Sequence, residues 1–225
     1  MPRCARIELE EGIFHIMCRG NNGQGVFKNE VDFRKYKDII KELKDEQPFK
    51  LYHYCLMDNH VHLVIQTNEK TQLSKLIKRL NLKYYHYYKK KYGYSGHFWQ
   101  DRFKSLLIER KNYLLACGIY IERNPVRAKI TKNADGYKYS SYRYYVSGEN
   151  DEIMDRDISY DELGKDERSR QGVYRNLMLD REYEIGKKIS SRFFLGGEEF
   201  IESMERKFKV SNVRLCRGRP RKDEK

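Results

Sequence analysis

The 225-residue sequence contains no apolar run close to the ~18–20 residues that a membrane-spanning helix requires. Residues 1–6 lack the apolar core of a signal peptide. The five cysteines are scattered, and no two have the CxxC spacing of a zinc site, so reduced, packed thiols are expected. These absences argue against a membrane protein and a disulfide-stabilised secreted domain. They predict a cytoplasmic location with no membrane partner.

Positive charge and tyrosine are what the sequence has in excess. Lysine and arginine number 46 against 33 acidic residues, which gives a formal net charge of +13. Such an excess favours a polyanionic partner, nucleic acid first and an anionic membrane surface second. A protein that is merely basic is the alternative. The 19 tyrosines cannot all be catalytic, so a tyrosine nucleophile has to be identified by its position.

The order of strand and helix patterns predicts an α+β fold. A strand over 13–19 is broken by a Gly/Asn-rich loop, and Asn29 can cap the helix that follows. The order β-α-β-β-α-β plus one extra helix matches the ferredoxin-like pattern, an antiparallel sheet with helices on one face and the other face free for a ligand. The remaining predicted elements are a hairpin of 51–56 and 60–66, a helix over 72–91, a strand over 103–108 and the extra helix over 112–124.

The last third of the chain has a different composition. Residues 149–169 are acidic with few large apolar side chains, which predicts a surface connection. Helical patterns return near 172–188 and 198–208. Residues 206–222 carry eight basic side chains and no acid, which predicts a flexible basic tail. The predicted divisions are 5–145 as the main domain, 146–205 as an acidic connection with a helical region, and 206–225 as the tail.

The segment His60-Val61-His62 is the sharpest chemical motif. Alternate residues of a strand point to the same side, so both imidazoles project from one sheet face. Two neighbouring imidazoles can bind a divalent metal ion. Two polar residues on a solvated strand face are the alternative interpretation.

The extra helix carries a second candidate pair, Tyr120 and Asn124. Residues four apart share a helix face. The Asn124 carbonyl oxygen is a reasonable ligand for a hard ion, and the Tyr120 phenol can attack phosphorus if a metal or cation assists its deprotonation. In the alternative interpretation, Tyr120 packs in the core and Asn124 ends the helix before Pro125.

Two further segments mix groups that suit nucleic acid. The run from Gly96 to Lys104 contains Trp99, Arg102 and Lys104, where aromatic rings stack on unpaired bases and cations bind phosphates. The alternative is the start of a strand with Trp99 in the core. The Arg217-Gly218-Arg219-Pro220 segment can lie in a DNA minor groove or be a generic basic tail.

Several of these segments together resemble one known family. Residues 57–64 resemble the His-hydrophobic-His strand of the HUH single-tyrosine transposases, and residues 117–128 are similar to their tyrosine helix. The segments 19–21 and 98–104 also fit. The combination is most similar to the REP-associated tyrosine transposase branch and covers roughly residues 5–145. The Arg-Gly-Arg-Pro tail resembles an AT-hook, a much shorter match.

The resemblance implies a reaction and its site. Mg²⁺ or Mn²⁺ would be held by His60, His62 and Asn124, although the third ligand in this class is often Gln. Tyr120 would be the nucleophile that cuts and rejoins single-stranded DNA beside a hairpin, leaving a 3′-hydroxyl and a 5′-phosphotyrosine. A bacterial protein of this kind would be nucleoid-associated. The implied DNA contacts are Arg19, Asn21, Trp99, Arg102, Lys104, Arg123, Arg127, Arg217 and Arg219.

Two other functions stay open at the level of sequence. One is a domesticated nucleic-acid binding module on the same fold that has lost turnover. The other is a metal-dependent phosphodiesterase that uses water as its nucleophile. A homodimer with sites built from two chains is equally compatible with the sequence.

Overall fold

A computed structural model of the chain describes residues 7, 9–110, 112–180, 189 and 192–213. The predicted minor-groove residues Arg217 and Arg219 lie outside the described residues. In the part of the chain that is described, no helix is both long and apolar enough to cross a bilayer. Cys18, Cys55 and Cys117 are buried and not joined in disulfides, as expected for packed thiols.

The elements follow the predicted order closely. Short 3₁₀ turns at Asn21–Gly23 and Ala134–Gly136 interrupt the connections. The strands are β1 (Gly12–Arg19), β2 (Lys50–Met57), β3 (His60–Thr67), β4 (Lys104–Ile108) and β5 (Phe194–Leu195). The helices are α1 (Glu30–Glu46), α2 (Leu73–Tyr92), α3 (Asn112–Glu122), α4 (Asn124–Arg127), α5 (Tyr142–Ser147), α6 (Ile158–Asp161), α7 (Glu167–Leu179) and α8 (Glu198–Phe208).

The sheet has the strand order β2-β3-β1-β4-β5. The first four strands pair antiparallel, which confirms the ferredoxin-like arrangement. Strand β5 adds a parallel edge next to β4, and the sequence did not predict it. Its two residues are too few to show an alternating pattern.

Helices α1 and α2 cover one face of the sheet, as predicted. The Asn29 side chain caps α1 by accepting hydrogen bonds from the backbone N–H groups of Val31 and Asp32. Gly93, at a φ of +62°, ends α2 in a left-handed conformation that glycine adopts without strain. The core on this side joins alternate residues of the strands, including Phe14, Ile16, Val61, Leu63 and Ile65, to the apolar sides of both helices.

Helix α3 covers part of the opposite face. Leu114, Cys117 and Ile121 of α3 are buried against Val64 and Leu106 of the sheet. The expectation of a free second face was therefore wrong over this area. The extra helix is apolar on nearly all sides, and such a helix is stable only when neighbouring elements bury it.

The acidic stretch 149–169 is packed against the domain. The Lys37 ammonium is 2.9 Å from the Asp151 carboxylate, and the Leu51 N–H donates to Asp155 at 2.8 Å. The expected surface connection thus contacts α1 and β2 through its carboxylates. The acidic composition alone predicted exposure. The basic partners could not be recognised from it, because they lie about a hundred residues earlier in the chain. The division at residue 146 stays a prediction.

Candidate active site

Strand β3 presents two imidazoles side by side. The rings of His60 and His62 have centroids 4.9 Å apart and are nearly perpendicular, at 84°. His62 is 4% exposed, and His60 is half-buried. Both project from the face that α3 partly covers, since Val61 and Leu63 are in the core on the other face. The predicted shared orientation of the two side chains is therefore observed.

Both imidazoles are neutral at neutral pH. Burial, together with the nearby Arg19 guanidinium, lowers the pKa of His60 to about 4. Burial also holds the pKa of His62 well below its usual value, with added repulsion from His15, His60 and Arg127. A neutral imidazole retains a lone pair, which is what a metal ligand requires.

A third imidazole, His15 on β1, joins this pair. Its Nε2 is 2.8 Å from the His62 Nδ1, and the two rings stack with centroids 5.1 Å apart. Sequence reasoning missed His15. The available signal was strand pairing: Met17 is opposite His62 in the β1–β3 register, so His15 lies on the same face two residues away.

Tyr120 faces the imidazoles across a small cavity. The cavity has a volume of about 70 Å³. Tyr120 is half-buried, and α3 positions it by packing Cys117 and Ile121 into the second core. The sheet and the tyrosine helix therefore meet at one cavity. The residues that line it are His15, Met17, His62, Lys104, Ser105, Leu106, Tyr120 and Ile189.

Arg127 lies over the Tyr120 ring, with its guanidinium carbon 4.7 Å from the ring centroid. Helix α3 ends at Glu122, and the short helix α4 carries Arg127 back over the tyrosine. A planar guanidinium over an aromatic face is a cation–π contact. The predicted DNA contact Arg127 therefore lies beside the predicted nucleophile.

The structure places Asn124 and Arg123 away from the cavity. The Asn124 amide nitrogen donates to the Ile121 carbonyl at 3.0 Å, and Asn124 is not among the residues lining the cavity. The Arg123 guanidinium donates to carbonyl oxygens at the end of α7, those of Leu177, Met178 and Asp180. Arg123 thus caps α7 in the structure, and its contact with DNA stays a prediction.

A wider cleft of about 390 Å³ opens on the other side of His60. Arg19 lies at its wall, directly opposite His60 in the β1–β3 register. The cleft is large enough for groups the size of a nucleotide, whereas the tyrosine cavity is not. Its lining consists of Met17, Arg19, Met57, Asp58, Asn59, His60, Ala128 and Ile130.

The segment before β4 joins the loop after β1. The Asn21 N–H donates to the Phe98 carbonyl, and the Gln100 N–H donates to the Arg19 carbonyl, both at 2.8 Å. The two predicted DNA-contact segments are therefore adjacent. Trp99 is half-buried, and its indole N–H donates to the Asn81 carbonyl at 3.2 Å, so its role includes packing.

The two remaining cations of this segment occupy different places. Lys104 lines the tyrosine cavity, and Arg102 is exposed on the surface. Each position suits contact with a phosphate group, at the cavity and at the surface respectively.

A buried polar cluster lies beneath α3. The His53 ring, on β2, bonds to the carboxylates of Glu122 and Asp157, each at 3.0 Å, and all three side chains are fully buried. Burial alone would lower the pKa of His53, but the two carboxylates outweigh it and raise that pKa to about 9. The Tyr174 hydroxyl also donates to Glu122, at 2.7 Å. No pattern in the sequence indicates this cluster, because its members are far apart in the chain.

The donor set at the imidazole pair fits a divalent ion in part. The His60 Nδ1 is 2.6 Å from the Asn59 side-chain oxygen, and this oxygen can only accept, so the His60 Nε2 keeps its lone pair. Within the described ranges, no three side chains of His, Cys, Asp or Glu converge to hold a metal ion. The two neutral imidazoles are available as protein ligands, and the Asn124 side-chain oxygen stays the predicted third ligand.

An antiparallel ferredoxin-like sheet with paired imidazoles beside a helix-borne tyrosine is the arrangement of the HUH single-tyrosine transposases. The family model described as "Transposase IS200 like" matches residues 9–124, slightly more than half of the chain. The chain therefore belongs to the IS200-like transposase family, which confirms the resemblance seen in the sequence.

One solved structure supports the fold, and a second is less similar. The structure of a REP-associated tyrosine transposase bound to a REP hairpin matches with a TM-score of 0.58 at 17% identity, covering 70% of this chain and 93% of that chain. A crystal structure of a candidate transposase from Deinococcus radiodurans R1 has a TM-score of 0.38 at 15% identity, covering 58% of this chain and 94% of that chain. No curated protein matches the chain.

Proposed function

We propose that this transposase-family protein cuts and rejoins single-stranded DNA through a covalent bond between Tyr120 and a 5′-phosphate, using a divalent metal ion. The observation that carries the proposal is the shared cavity of Tyr120, His62 and Lys104, beneath Arg127. A nucleophile, a metal-binding group and two cations are then available to one phosphate.

The chemistry proposed for Tyr120 is a displacement at phosphorus. The phenol oxygen forms a bond to phosphorus while the bond to the 3′-oxygen breaks. Tyr120 loses one proton and the 3′-oxygen gains one, so the step is balanced without a co-reactant. The phosphotyrosine conserves the energy of the broken bond, and attack by another 3′-hydroxyl reverses the step and joins two strands.

Each surrounding side chain has a distinct proposed task. The Arg127 guanidinium stabilises negative charge on the phenol oxygen as its proton leaves. Lys104 neutralises the phosphate in the cavity. His60 and His62, with Asn124 as the proposed third ligand, would hold Mn²⁺ or Mg²⁺. When bound, the ion polarises the phosphate and stabilises charge in the transition state.

The substrate is proposed to be single-stranded DNA next to a hairpin. The net charge of +13 favours a nucleic acid, and the structural neighbour described above is bound to a REP hairpin. The wider cleft beside His60, with Arg19 in its wall, could hold an unpaired nucleotide. The adjacent segments around Asn21 and Trp99 would extend this contact surface.

A covalent-trapping assay tests the proposal. Labelled single-stranded hairpin DNA is incubated with the full chain and Mn²⁺ or Mg²⁺, and a denaturing gel detects protein that carries the label. We expect a metal-dependent adduct that is lost in Tyr120→Phe. Tyr113→Phe is the matched control, since Tyr113 is a half-buried tyrosine two turns earlier on the same helix, and it should form the adduct normally.

The position of Asn124 favours a second candidate function. Its amide nitrogen donates to the Ile121 carbonyl, and Asn124 does not line the tyrosine cavity, an arrangement that suits a binding module that has lost turnover. In that case hairpin DNA would bind equally well to the wild type and to Tyr120→Phe, with no adduct in either. Cleavage without an adduct would instead indicate water as the nucleophile.

A further inference from the structure

His15 is a polar side chain of the tyrosine cavity to which the proposed reaction assigns no role. It is 5% exposed. Its contact with His62, at 2.8 Å between ring nitrogens, needs one ring to donate and the other to accept. The direction of this hydrogen bond decides which nitrogen of His62 carries a lone pair.

The contacts of His60 show which of its two ring nitrogens carries the proton. The Asn59 amide nitrogen donates to the Gly23 carbonyl at 3.3 Å, so the Asn59 oxygen is the atom that faces His60. The His60 Nδ1 must then donate, and its Nε2 retains the lone pair. For His62 to offer the equivalent atom, its own Nδ1 must also donate, and the acceptor within reach is the His15 Nε2.

We propose that His15 is a positioning residue for the metal site. Its Nε2 accepts the hydrogen bond from His62 Nδ1–H and keeps the His62 Nε2 unprotonated and directed as a ligand for a divalent cation. His15 carries its own proton on Nδ1. This inference rests on the proposed function, because it assigns the bound cation to His60 and His62. It goes beyond that function by adding a third imidazole from a different strand.

The stacking of the two rings supports this role. The rings are 14° from parallel, so His15 limits rotation of His62 as well as fixing its proton. Hydrogen-bond partners of metal-bound histidines raise ligand basicity and fix ring orientation, and their loss typically costs about 10–100-fold in metal affinity. Without His15, the buried His62 Nδ1 would lose the partner that fixes its tautomer.

The first test is made on the metal-free wild-type chain. Two-bond ¹H–¹⁵N imidazole NMR spectra distinguish the tautomers of individual histidines. We expect protonated Nδ1 in His15, His60 and His62. A His62 ring protonated on Nε2 would overturn the proposal. This measurement needs no variant, so it decides the question even if a substitution at His15 prevents folding.

The second test measures Mn²⁺ affinity by electron paramagnetic resonance. His15→Leu should bind Mn²⁺ about 10–100-fold more weakly than the wild type. His15→Gln, whose side-chain oxygen can accept from His62 Nδ1, should recover part of the affinity. Ile13→Val is the matched control, because Ile13 is buried on the same face of β1 and lies outside the cavity lining. It should bind like the wild type.

The outcomes separate this inference from the proposed function. If wild-type binding is abolished by His62→Ala but unchanged by His15→Leu, the role of His15 is overturned and the metal site stands. If neither His60→Ala nor His62→Ala changes Mn²⁺ binding, the metal site and the role of His15 both fall. Weaker binding in His15→Leu with recovery in His15→Gln supports the hydrogen bond as the cause.

Discussion

The Arg127 guanidinium stacks on the Tyr120 ring, 4.7 Å from its centroid, although the two residues belong to different helices. The break between α3 and α4 makes this contact, because it turns the chain back over the tyrosine. A fixed cation at this position can stabilise negative charge that develops in the transition state, so we expect Arg127 to act on the rate of attack rather than on DNA affinity alone.

Replacing Arg127 by Gln should slow adduct formation by roughly 100-fold, the size typical of losing one charge-stabilising donor. Binding of hairpin DNA at moderate salt should weaken much less. Arg127→Lys should retain part of the rate, since it keeps the charge but not the planar group that stacks on the ring. Single-turnover trapping with a parallel gel-shift assay checks this. Equal losses in binding and rate would assign Arg127 to DNA binding only.

Arg123→Gln should instead reduce the stability of the protein and leave the rate of adduct formation unchanged. The Arg123 guanidinium bonds to the carbonyls that end α7, so its loss should lower the free energy of unfolding by about 1–3 kcal/mol. Adduct formation per folded molecule should be unchanged. Urea unfolding followed by circular dichroism gives the first quantity and trapping gives the second. A reduced rate at full stability would return Arg123 to the predicted set of DNA contacts.

The contrast between these two arginines shows what the sequence could predict. Both lie in the segment that resembles the tyrosine helix, and the motif gives no reason to separate them. Local pattern predicted that His60 and His62 share one sheet face, as they do, because spacing along a strand determines which side chains share a face. Their surroundings depend on strand register and on residues far away in the chain. For that reason His15 and the partners of Arg123 became visible only in the fold.

The same reasoning applies to Gly118, a residue of low helix propensity within the apolar helix α3. A Cβ atom there would lie 2.4 Å from the His53 ring, so the glycine lets α3 approach β2 closely. Gly118→Ala should destabilise the protein by about 1–3 kcal/mol, as overpacking does. The variant should also slow adduct formation, because Tyr120 is on the same helix.

Gly172→Ala is the matched control for Gly118→Ala. Gly172 lies within α7, and a Cβ atom there would meet nothing within 4 Å. Alanine has the higher helix propensity, so stability should be unchanged or rise by up to ~1 kcal/mol. Thermal unfolding of the two variants compares them directly. Equal effects would show that close approach to His53 does not constrain α3.

The buried His53 should make stability fall with alkaline pH. Its pKa is raised to about 9 by Asp157 and Glu122, so its contribution is complete below the unfolded value near 6.5 and is lost as pH rises toward 9. The loss should be on the order of 3 kcal/mol.

His60 acts in the opposite direction: its pKa of about 4 means that stability is lost as pH falls from about 6.5 toward 4. Urea unfolding between pH 4 and 9 should therefore show a maximum near pH 6.5. His60→Asn should reduce the acid slope and leave the alkaline slope unchanged. An NMR titration of the wild type measures the His53 pKa itself, and an ordinary value there would assign the alkaline slope to other groups.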